Sequence, residues 1–79
     1  MQGATKEELR NEFLKPKVKL ERFRKEQHWT TAYMATMIGL KDRRQYELKE
    51  RGEYPFNDYE MLIIANAFHK QVQDIFFKD

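Results

Sequence analysis

Apolar side chains recur along this chain at intervals of three and four, and the spacing predicts five or six short amphipathic helices. Leu9, Phe13 and Leu14 follow Thr5 and Glu8, which have the spacing of a capping box, so a first helix is expected over about residues 6–14. Lys15 precedes Pro16, which disfavours α geometry at Lys15 and suits Pro16 to open the next helix. That second helix carries Leu20 and Phe23 on one face, has Val18 and Trp29 near its ends, and fades at Gln27 and His28. Thr30 caps a third helix, with Tyr33, Met34, Met37 and Ile38 at helical spacing. Gly39 stops it, because glycine reaches the left-handed conformation that turns one helix sharply into another.

Beyond this turn, Asp42 stands three residues before Gln45 and starts a short polar helix whose first turn holds Arg43 and Arg44. It ends near Gly52. Asn57 and Glu60 then cap a strongly apolar helix containing Met61, Leu62, Ile64, Ala65 and Phe68, and a last short helix from about Val72 offers Ile75, Phe76 and Phe77 to the core. Tyr54, Pro55 and Phe56 are expected to pack under the preceding loop. No segment alternates with β periodicity, so the expected fold is all-α: a compact five- to six-helix bundle.

Composition narrows this further. A chain of 79 residues has room for one core. Its 41% hydrophobic and 35% charged residues suit a folded domain with a heavily solvated exterior. The absence of cysteine removes disulfides, thiolate metal sites and thiol nucleophiles. The longest strongly apolar run, residues 61–65, is far shorter than the roughly 20 residues of a membrane span, so a soluble cytoplasmic protein is expected. A net charge of +2 is modest, but the cations gather in two blocks: Lys15, Lys17, Lys19, Arg22, Arg24 and Lys25, then Lys41, Arg43, Arg44, Lys49 and Arg51.

A helix, a glycine turn and a short polar helix opening on arginines is the arrangement that places a helix in the DNA major groove. Its surroundings agree in order and spacing. They comprise Leu20, Phe23 and Arg24; Trp29-Thr30; Met34-Ala35; Ile38-Gly39-Leu40; Glu50-Arg51-Gly52; and Ile64-Ala65-Asn66-Ala67-Phe68 through Val72, Asp74, Ile75 and Phe76. Over residues 18–77 the chain resembles the lambda-repressor-like, or Xre, family of regulators. The resemblance implies a helix-turn-helix domain over residues 18–79, preceded by an extension over residues 1–17 with its own short helix. It implies a transcriptional regulator, of phage or prophage repressor type, that reads a double-stranded DNA operator with the helix at about residues 42–51. It implies a homodimer, and no cofactor, metal, small-molecule ligand or membrane.

The resemblance also implies roles for residues. Arg24 and Glu50 match positions that form a buried ion pair between the opening and reading helices. The stretch from Gly39 to the apolar anchor of the reading helix is one residue longer than the usual family pattern, so two phases compete. One buries Tyr46, keeps Asp42 as the cap and lays the Lys49 stem over the core with its ammonium in solvent. The other buries Leu48. In the first, which capping favours, Arg43, Arg44, Glu47 and Leu48 face the groove. Arginine can bond guanine O6 and N7, glutamate can accept from cytosine N4, and leucine can touch a thymine methyl. Thr31, Tyr33, Lys41 and Arg51 are then candidates for phosphate contacts. His69 occupies a position where the family often has a left-handed glycine.

An enzyme is disfavoured. His28 and His69 are far apart, and the chain has neither a glycine-rich phosphate loop nor metal-ligand spacing. Asp58 and Glu60 read as helix-start carboxylates rather than an acid/base pair. The alternative is a protein-binding module, such as an antirepressor or an antitoxin partner, since one fold serves several functions.

Overall fold

Thr30, Asp42 and Asn57 each begin a helix in the way their side chains allow, by accepting a hydrogen bond from a main-chain N–H three residues on. The computed structural model describes residues 14–77, and these form five helices with no strand among them. They are α1 (Val18–Glu26), α2 (Thr31–Met37), α3 (Arg43–Glu50), α4 (Asp58–Phe68) and α5 (Val72–Phe76). The helix expected over residues 6–14 lies outside the described residues, apart from Leu14 at its end. Thr30 Oγ1 and Asp42 Oδ1 each accept at 3.0 Å, while Asn57 and Glu60 close a reciprocal capping box with both bonds at 2.9 Å. Helix α1 has no side-chain cap, and its N-terminus is tied instead by the Lys17 N–H donating to the Glu50 carbonyl at 2.8 Å.

The ends of α1 to α4 share one device. Each closes on a left-handed residue, and the next N–H reaches back to the carbonyl five residues earlier. The left-handed residues are His28, Gly39, Gly52 and His69, with φ of 60°, 80°, 86° and 56°. The reaching donors are Trp29, Leu40, Glu53 and Lys70, at 2.8 to 3.1 Å. Trp29 and Leu40 thereby swing onto the core.

The core takes Leu20 from α1, Met34, Ala35 and Ile38 from α2 and its cap, Tyr46 from α3, Ile64 and Ala65 from α4, and Ile75 and Phe76 from α5. Phe56 wedges between Tyr46 and Phe76, with ring centroids 5.9 and 5.2 Å away. Trp29 stacks obliquely on Phe68 at 4.9 Å.

Two apolar expectations fail, at Phe77 and in the Tyr54, Pro55 and Phe56 trio, and two further apolar side chains are exposed. Val18 is 69% exposed, because it lies two positions from Leu20 and so points to the far side of α1. Leu62 is exposed for the same reason, two positions before buried Ile64. Phe77 lies past the end of α5, whose inward places Ile75 and Phe76 fill. Of the Tyr54, Pro55 and Phe56 trio only Phe56 is buried. Among the described residues no helix is long and apolar enough to cross a membrane.

Candidate functional site

Helices α2 and α3, joined by the turn through Gly39, make the most extensive helix–helix contact in the fold. Tyr46 and Glu50, four residues apart, share the inward face of α3, and Tyr46 is fully buried. Leu48 is only half-buried. The anchor of α3 is therefore Tyr46, behind the Asp42 cap.

The inward face is held by charge as well as by packing. Glu50 receives Arg24 Nε at 2.9 Å on one oxygen and Arg24 Nη2 at 3.1 Å on the other, and the Tyr46 hydroxyl donates to it at 2.6 Å. A third arm of Arg24 donates to the Trp29 carbonyl at 3.1 Å. Arg24 and Glu50 are 9% and 8% exposed, so this is a buried, two-armed ion pair joining α1 to α3. The bond to Glu50 raises the Arg24 pKa further, and burial together with the same carboxylate pushes the Tyr46 phenol well above its usual range. No buried side-chain nitrogen or oxygen among the described residues lacks a partner.

Lys49 corrects an expectation. Its side chain is largely covered, and its ammonium does not reach into solvent: it donates to Glu60 Oε1 at 2.7 Å and to the Pro55 carbonyl at 3.1 Å. The cause is the capping box of α4, which draws the Glu60 carboxylate inward to 2% exposure and leaves it beside α3. A buried carboxylate calls for a cation, and Lys49 supplies it. The sequence announces the box, but the crossing of α3 and α4 that pairs these residues comes only from the fold.

Outward, α3 presents a different set. Arg43 and Arg44 both project from its first turn into solvent. Arg43 Nη1 lies 3.2 Å from Glu47 Oε2, one turn on, and the Thr31 hydroxyl at the start of α2 donates to the same oxygen at 2.6 Å. The Thr31 hydroxyl, helped by Arg43, holds the Glu47 carboxyl below its ordinary pKa. Arg51 pairs with Glu53 at 3.1 Å on the surface. Lys41 and Arg44 are exposed and have no ion-pair partner among the described residues. Tyr33 is half-exposed, with its ring 5.2 Å from that of Trp29.

The structure thus brings Thr31, Arg43 and Glu47 into one hydrogen-bonded chain, sets Arg44 and Leu48 on the next line of α3, and places Tyr33 against Trp29. The Thr31–Glu47 bond had no signal in the sequence, because the two residues are sixteen apart and meet only through the α2–α3 crossing. Among the described residues, no cluster of histidine and carboxylate side chains could hold a metal ion. The arrangement presents two solvent-exposed guanidinium groups from the first turn of a short helix, one of them paired with a carboxylate on the same helix. Compared with known proteins, the chain matches no family model, no curated protein and no solved structure.

Proposed function

We propose that this domain is a helix-turn-helix module that binds double-stranded DNA in a sequence-specific manner and acts as a transcriptional regulator, of phage or prophage repressor type, in the cytoplasm. One observation carries the reading: α3 is short, opens on two solvent-facing arginines, and is fastened from behind by Tyr46 and by the buried Arg24–Glu50 pair. Base readout demands a helix of this kind, since a bidentate bond to guanine discriminates by roughly 1–3 kcal/mol only where the arginine is presented from a rigid support. Lys41 and Arg51 flank the helix and reach phosphate. Two copies would read half-sites about one helical turn apart, because one helix this short spans few base pairs.

Selection of bound duplexes from a random pool tests the proposal. A reproducible consensus, with affinity that falls steeply as salt rises, is the expected result. A pool that stays random through successive rounds overturns it.

The second reading, a protein-binding module, has an observation of its own. Tyr59, Leu62 and Ile63 on α4 stand at i, i+3 and i+4 and are all exposed, forming an apolar stripe without a partner among the described residues. Capture of a protein that is insensitive to salt, with no retardation of DNA, favours that reading instead.

A further inference from the structure

The acidic residue on the outward face of α3 has no evident use in attracting a polyanion. Glu47 is only partly exposed, and one of its oxygens, Oε2, already serves two donors: Thr31 Oγ1 at 2.6 Å and Arg43 Nη1 at 3.2 Å. Both lone pairs of that oxygen are thereby engaged. The phosphate role that the sequence suggests for the Thr31 hydroxyl would draw its donor away from this oxygen, whereas Glu47 Oε1 keeps its lone pairs for a base edge.

The geometry points to Glu47 as a specificity-determining residue that acts through Arg43, with Thr31 as the positioning residue that aims it. This inference rests on the DNA reading and deepens it. Two physical effects combine. A guanidinium drawn toward a carboxylate one turn away gives up part of its rotamer freedom beforehand, so it loses less on docking to a guanine edge. A carboxylate on the same face repels phosphate whatever the sequence, which lowers the background affinity for random DNA. The first effect strengthens the correct complex, the second weakens the incorrect ones, and both raise the ratio between them. Arg44, with no carboxylate partner among the described residues, is free to serve either role.

Glu47→Gln in the full chain separates these effects from a direct contact. Against the duplex selected by the parent and against a random duplex, the variant is expected to bind random DNA about three- to tenfold more tightly at low salt. Its salt slope should steepen by about one unit. Its preference for the selected duplex should fall by about tenfold or more. Thr31→Val should move the ratio in the same direction, and Thr31→Ser, which keeps the donor, should restore it. Because part of the Glu47 effect works through Arg43, Glu47→Gln should cost less discrimination in the Arg43→Ala background than in the parent.

Independently of DNA, the carboxyl carbon resonance of Glu47 should titrate at higher pH in Thr31→Val than in the parent. An unmoved midpoint would show that the hydroxyl does not hold the carboxylate, and the inference would fall. It also falls if Glu47→Gln keeps the parent's ratio, or if it loses only the preference for one C·G pair, which would make Glu47 a direct reader of cytosine. A parent that prefers no duplex removes the DNA reading and this inference together, whereas a selective parent matched by Glu47→Gln removes this inference alone.

Discussion

At the scale of single residues, the ionic cluster of Arg24, Glu50 and Tyr46 has the largest energetic leverage. Both charges are more than nine-tenths buried, so removing one strands the other in a poorly solvated site. Arg24→Ala and Glu50→Ala should each lower stability by about 3 kcal/mol, and the double variant should lose less than the sum. Urea denaturation of the three variants checks this, and single variants melting within a degree of the parent would contradict it. The phenol adds a pH dependence of definite sign. Its folded pKa is raised above the unfolded value of about 10, so its contribution is complete below pH 10. It is lost as pH rises, because the unfolded chain ionises first, at up to about 1.4 kcal/mol per pH unit. The stability gap between the parent and Tyr46→Phe should accordingly narrow between pH 9 and 11, and a constant gap would mean that the phenol is not held neutral. Of this cluster, the Arg24–Glu50 pairing was suggested by the resemblance of the sequence, and Tyr46 by the cap at Asp42. The third arm of Arg24, to the Trp29 carbonyl, depends on the turn at His28 and could not be read from spacing.

At the scale of the element, the four left-handed helix ends are not equivalent. Gly39 stands in open space, whereas a Cβ on Gly52 would run into the Leu14 carbonyl and the backbone of Lys15, where the chain entering α1 lies against the end of α3. Gly39→Ala should thus cost about 1 kcal/mol, the left-handed penalty alone. Gly52→Ala adds a backbone clash that cannot relax through a side chain and should cost about 3 kcal/mol or more. The two histidines pay the left-handed penalty already, so His28→Gly and His69→Gly should each stabilise by about 0.5–1 kcal/mol once the greater freedom of glycine in the unfolded chain is deducted. Calorimetric melting of the four variants tests the ordering, and a destabilising His69→Gly would mean that its imidazole makes a contact worth more than the strain. The capping signals and the glycine stops were legible in the sequence. The close passage of Leu14 over Gly52 was not, because it joins segments nearly forty residues apart.

At the scale of the molecule, the outward face of α3 and the turn before it are the part that the proposed function uses. The roles of its cations separate experimentally. Arg43→Ala or Arg44→Ala should relax preference at one or two defined base pairs of the selected consensus. Lys41→Ala or Arg51→Ala should weaken selected and random duplexes about equally and flatten the salt slope by about one unit. Uniform loss of affinity in both arginine variants, with the consensus intact, would make the arginines positioning groups and would point to another reading surface.

The sequence by itself determined what depends on neighbours along the chain. Helical periodicity, the capping residues Thr30, Asp42 and Asn57, and the stop at Gly39 are all decided within a turn or two, where spacing translates directly into geometry. Tertiary structure alone decided what depends on helices crossing: that Lys49 meets the buried Glu60, that Phe77 is left in solvent beside buried Ile75 and Phe76, and that Thr31 donates to Glu47. An apolar side chain in a short helix is buried only if a neighbouring element covers its face, and a charge finds its partner only where two helices meet. Those meetings are set by the packing of the whole core around Tyr46 and Ile64, which no local interval in the sequence records.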